Sequence, residues 1–160
     1  MAWTSPRTWV AGEVVTAAIM NTHVRDNLVA INPDATGAWN SYTPTLTQNA
    51  VAVAKTVGYA KYKQTGKNLE GTVVMTPTAA GTTTTVINSS LPVAPVAVNP
   101  VIGPFWYLAA AGTRYEGVAI WTGGLVYFQH ATAANWFGIA PAFAIANGDT
   151  FTFKFNYEVA

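Results

Sequence analysis

The chain has 160 residues, 51% of them hydrophobic and only 9% charged, with a formal net charge of +1 and no cysteine. Disulfides and cysteine-ligated zinc are excluded, and no basic patch of the kind that phosphate backbones need is present, so no nucleic-acid partner is expected. Soluble domains are usually about 25% charged, so this surface must be built largely from Thr, Ser, Asn, Gly and Ala, which suits a protein partly covered by neighbours.

The first fifteen residues read as an irregular arm punctuated by Pro6 and Gly12, with Trp3 and Trp9 standing out. Two tryptophans in so short a segment need a surface to lie on, either the rest of the chain or another protein. No basic segment leads into an apolar run here, so no signal peptide is expected. Thr16 is a good helix N-cap, with Val15 and Met20 at the positions of a hydrophobic staple. The helix should run to about Ile31 and end at Asn32-Pro33. Its apolar positions Met20, Val24, Leu28 and Ile31 form one narrow stripe, more like a coiled-coil seam than a broad core-facing surface. A helix of this length is marginal alone in water and must pack on something. The expected domains are therefore a docking arm and helix over 1–33, a linker over 34–41 and a β body over 42–160.

From Tyr42 onward the period becomes two. Strands are expected over Tyr59–Gln64 and Leu69–Thr76, joined by a turn at Gly66-Lys67-Asn68, and over the β-branched run Thr82–Asn88. The apolar stretch Leu91–Ala111 is interrupted by Pro92, Pro95, Pro100 and Pro104, which rules against a membrane helix and for loop plus short strands. Arg114–Trp121 and Leu125–His130 flank Thr122-Gly123-Gly124 as a hairpin. Trp136–Phe143 is a further short strand. The last segment is the clearest: Phe151, Phe153, Phe155 and Tyr157 face one way, Thr152, Lys154, Asn156 and Glu158 the other, after a turn at Asn147-Gly148-Asp149. Seven to nine short strands with regular turn signals predict a mainly β fold, an antiparallel β-sandwich of jelly-roll type, with an up-and-down barrel second.

Chemistry is sparse. The two histidines, His23 and His130, have no metal-ligand spacing, and no metal or other cofactor is expected. The seven acids are scattered, and no pair can be nominated for glycoside hydrolysis. Asp149 has a structural explanation in its turn, and Glu116 is placed to pair with Arg114 along one strand face. No hydrolase or nucleotide motif is present, so no catalytic residue is nominated and the chain reads as a non-enzyme. Asn88-Ser89-Ser90 matches a glycosylation sequon. Of the clustered aromatics, Trp106, Tyr107 and Trp136 are the candidates for stacking on a glycan; core or subunit packing is the alternative.

The opening WTSPRTWVAGEVVTA, Trp3 to Ala17, followed by NTHVRDNL, Asn21 to Leu28, resembles the start of many tailed-bacteriophage and prophage proteins. WNSYTPTLT (Trp39 to Thr47), YKQTGK (Tyr62 to Lys67), LPV (Leu91 to Val93) and the ending from Gly148 to Ala160 are similar to the same group more loosely. The resemblance implies a structural component of the virion exterior, of minor-tail, fibre-like or capsid-decoration type, and a homotrimer. It implies that Trp3, Pro6, Arg7 and Trp9 dock on other virion proteins such as the major capsid or tail proteins. Val15 and the helix stripe would then pack on symmetry mates or on the β body. A knob recognising host surface glycans is the alternative. No long shaft separates helix from β body, as it does in a full tail fibre.

Overall fold

The computed structural model describes residues 5, 7–28, 38–97, 99–133 and 135–160. These form two compact units, Met1–Ala38 with Gln64–Gly66, and Trp39–Lys63 with Lys67–Ala160.

In the first unit, Thr16 caps the helix as expected. Its backbone is extended (φ −83°, ψ 159°), and its hydroxyl oxygen accepts from the Ile19 amide at 3.3 Å. The helix is α-helical over Ala17–Met20 (α1) and widens to a π-turn over Asn21–Arg25, where the Asp26 amide donates to the Asn21 carbonyl. It is α-helical again over 26–28, and the expected end near Ile31 lies outside the described residues. The π-turn was not legible in the sequence.

The second unit is mainly β. The strands, all in this unit but for the last two residues of β4, are β1 (Asn40–Ser41), β2 (Leu46–Gln48), β3 (Val51–Ala52), β4 (Lys55–Thr65), β5 (Asn68–Pro77), β6 (Ile87–Ser89), β7 (Val101–Leu108), β8 (Arg114–Thr122), β9 (Leu125–His130) and β10 (Thr150–Glu158). They make one ten-stranded sheet in the order β1-β4-β5-β10-β7-β8-β9-β6-β2-β3. β3 is last in that order and β4 second, yet only Val53 and Ala54 separate them in the chain. A flat sheet would place those two strands roughly 38 Å apart. Three Cα steps reach at most about 11 Å. The sheet must therefore curl until its two ends approach each other. Tyr42–Thr45 imposes the same demand between β1 and β2.

The interior of the curl is aromatic. Phe105, Phe128, Phe137, Phe151 and Phe153 are fully buried. Phe128 on β9 meets Phe151 on β10 at 4.5 Å between ring centres, and Phe105 on β7 lies 5.0 Å from Phe137. Rings at such distances attract beyond the area they bury. β10 alternates as the sequence predicts, with Phe151, Phe153, Phe155 and Tyr157 inside. β5 does the same with Leu69, Gly71, Val73 and Met75. The β8–β9 hairpin also matches, and Gly123 and Gly124 take φ of 58° and 85°, the left-handed pair that a tight hairpin turn requires.

Two expected strands are corrected. Thr82–Val86 is not strand: Thr84 has φ 60°, and the Thr85 hydroxyl donates to the Thr82 carbonyl at 2.9 Å. A threonine side chain that bonds its own neighbourhood offers the backbone an alternative to a ladder. Trp136–Phe143 makes only isolated bridges, Gln129 with Trp136 and Gly138 with Ala142. Phe137 nevertheless enters the core, so its aromatics are there for packing rather than for pairing.

Two buried polar side chains tie loops to this sheet. Gln48 on β2 donates to the carbonyls of Phe143 (3.0 Å) and Thr85 (3.3 Å) and accepts from the Ile145 amide (3.0 Å). Asp149 accepts from the Tyr107 hydroxyl and from the amides of Ala110 (2.9 Å) and Ala146 (2.6 Å). It is the turn aspartate that the sequence suggests, pinning two loops at once.

Gln48→Leu strands the Ile145 amide and the Phe143 carbonyl without partners, and should cost about 3 kcal/mol in chemical denaturation. A loss below about 0.5 kcal/mol would show that the side chain holds nothing. A second expectation concerns alkali. Burial, first of all, raises Tyr42, Tyr107 and Tyr157 well above the ordinary tyrosine value near 10. The unfolded chain ionises these groups near pH 10 and the folded chain only higher. Their contribution to stability is therefore complete below that pH and falls as pH rises through it. Tyrosinate absorbance should lag and then rise together with loss of the β circular-dichroism signal. Ionisation of all tyrosines near pH 10 with that signal intact would contradict the assignment.

Candidate functional site

Two surfaces bear on function, one in each unit. In the N-terminal unit, Val10 to Glu13 make a tight turn, with the Glu13 amide donating to the Val10 carbonyl at 3.1 Å and Gly12 at φ 82°. The turn brings Glu13 back onto Arg7, and the two form an ion pair. The Arg7 guanidinium also lies over the Trp9 ring, 5.3 Å from its centre. The opening motif is thus a small clamp: turn, ion pair and cation–π contact fix the arm that leads into the Thr16 cap. The clamp leaves Trp9 47% exposed.

Val15, expected to pack beside the helix stripe, is 49% exposed, and the stripe residues Met20, Val24 and Leu28 are 45%, 37% and 61% exposed. A spacing of four overshoots one α-helical turn by about 40°. The wider π-turn between Met20 and Val24 takes back part of that drift, so the three residues keep closer to one face than a regular helix would hold them. Trp3, Pro6 and Ile31 lie outside the described residues.

The second surface is the outer face of the sheet. Strand alternation on β7 turns Phe105 and Tyr107 into the core and leaves Trp106 and Leu108 outside. Register places Trp106 between Thr152 of β10 and Glu116 of β8, and Leu108 between Thr150 and Arg114. With His130 and Thr132 at one side, these residues border an open cleft of about 690 Å³. The rim carries a carboxylate, a guanidinium and hydroxyls around one exposed indole. Arg114 and Glu116 form no ion pair among the described residues, contrary to the pairing expected from their spacing.

The three aromatics expected to share a glycan site are not brought together. Only Trp106, 41% exposed, presents its side chain to the cleft. Tyr107 borders it but is 2% exposed, with its hydroxyl engaged by Asp149, so it is a core residue. Trp136 packs at a tilt against Tyr127, 5.1 Å between ring centres, and does not line the cleft. Glu116, Arg114, Thr150 and Thr152 were missed as a group. Each sits on an outward position of a readable strand, but their juxtaposition needs the β10-β7-β8 order, which no local pattern encodes.

His130 meets Thr132 through Nδ1 at 3.0 Å. Among the described residues no group of three His, Cys, Asp or Glu could hold a metal ion, and no helix is long and apolar enough to cross a membrane. Asn88 of the sequon is 4% exposed within β6, which leaves no room there for a glycan chain. No protein-family model matches the chain, and no curated protein or solved structure matches it.

Proposed function

We propose that this chain is a non-enzymatic structural protein of a bacteriophage virion exterior. It is a homotrimeric appendage, a capsid decoration or head fibre or a tail fibre or tip protein, docked through its N-terminal segment. The observation that carries this reading is the run of exposed apolar side chains in the N-terminal unit: Trp9, Val14, Val15, Met20, Val24 and Leu28. Exposed apolar side chains concentrated in one segment mark an interaction site, and a helix in water gains most of its stability from what it packs against. The β unit has its own buried core and does not share that need. The trimer, the virion partners and the exterior location come from the resemblance of the opening motif. The finer form proposed for the curled sheet is a jelly-roll-like sandwich, supported by β9 and β10 rings meeting across the interior.

A second reading, a knob recognising host surface glycans, is favoured by the Trp106 cleft. An exposed indole ringed by hydroxyls and by charges of both signs suits a sugar, which offers an apolar C–H face and hydroxyls at its edge.

Sedimentation equilibrium should give three 16.9 kDa chains per particle. Val24→Glu and Leu28→Glu should shift the particle to monomer while the thermal transition of the β unit stays in place. A well-folded wild-type monomer would overturn the trimer. Antibody against this chain should label the outside of intact particles of the encoding phage. If a chain lacking residues 1–38 still joined virions at full occupancy, the docking role would be wrong.

A further inference from the structure

We infer that the outer face of β5-β10-β7-β8 binds an extended, neutral oligosaccharide laid along β10, with Trp106 at one end and Trp39 at the other. This rests on the glycan-binding reading and goes beyond it in naming the length and charge class of the ligand.

A second open cleft, of about 310 Å³, lies on the same face. Trp39 borders it together with Glu70 and Thr72 of β5, Pro104 of β7, and Lys154 and Asn156 of β10. The two clefts are joined by register. Thr152, Lys154 and Asn156 are successive outward positions of β10; the first lines the Trp106 cleft and the other two line the Trp39 cleft. Pro104 and Trp106 bear the same relation on β7. From Thr152 to Asn156 the strand rises about 14 Å, longer than any single pyranose ring. Trp39 is 49% exposed and Trp106 41%, so each end offers an indole face.

The charges decide the ligand class. Arg114 and Glu116 flank one end, Glu70 and Lys154 the other, and none forms an ion pair among the described residues. The four charges that border the two clefts therefore sum to zero. An anionic polymer would gain from the two cations and lose as much to the two acids. Sugar hydroxyls both donate and accept, so they can use carboxylate, guanidinium, ammonium, amide and threonine hydroxyl alike. Thr152 sits beside Trp106 in register, and from there the floor runs over Pro104 and Lys154 towards the Trp39 cleft.

The test uses the full chain on an array of neutral and acidic oligosaccharides, from monosaccharides to hexasaccharides, with titration calorimetry of the hits. Neutral ligands should be preferred, and affinity should rise with length. Trp39→Ala and Trp106→Ala should each weaken the longest ligand about tenfold. Tyr59→Ala, which lines neither cleft, should change nothing. Circular dichroism confirms that each variant is folded. If monosaccharides bind as tightly as hexasaccharides and Trp39→Ala has no effect, the extended site is wrong and glycan recognition stands. A preference for acidic sugars overturns the neutral class. If nothing on the array is retained, both the inference and the glycan reading fall. Loss of the trimer in Trp106→Ala would make this face a subunit interface instead.

Discussion

The connection through Val53 and Ala54 constrains everything else in the β unit. Two residues cannot bridge an open sheet, so the far edge must come round to meet the near one. That curl encloses an interior, and the interior is what the phenylalanines of β7, β9 and β10 fill. It also gives the opposite, outer face its shape. The surface of β5-β10-β7-β8 is bent, and open clefts form between outward side chains on strands far apart in the chain.

Polar side chains secure what the curl leaves loose. The loops before β6 and β10 carry no ladder of their own, and each backbone group they bury needs a partner. Gln48 supplies partners from β2, and Asp149 supplies them where the chain turns into β10. Both residues are buried because their bonds are made. The candidate site depends on them indirectly. Asp149 holds Tyr107 inward, and Tyr107 is the neighbour of Trp106 on a strand whose alternation turns Trp106 out.

Much of this was legible in the sequence wherever a segment carried its own period. β5, β8, β9 and β10 each bury one face, and their alternating residues say so. Thr16 announced its helix because the cap is a local hydrogen bond. β1, β2 and β3 were not legible, since strands of two or three residues exist only through their partners, and β6 was caught only as the end of the expected strand Thr82–Asn88. The threonine run at 82–86 misled because β-branching favours a strand only when a ladder is at hand. For the site, Trp106 could be nominated as a large aromatic, but Tyr107 was indistinguishable from it until alternation assigned one in and one out. Trp39 lay in what reads as a linker. Its cleft is made by register between β5, β10 and β7, which is a property of the assembled sheet.

β10 is the last strand in sequence but sits in the middle of the sheet, between β5 and β7. Synthesis therefore delivers the centre of the β unit after all its other strands. Until Phe151 to Tyr157 leave the ribosome, β5 and β7 present unpaired edges to each other and the aromatic interior has no lid. The helix and its apolar stripe, by contrast, emerge before any of the strands. A chain that meets its fellows through that stripe would do so while its β unit is still unfinished. Arrested chains would then be held together by their helices while lacking the strand that completes each β unit.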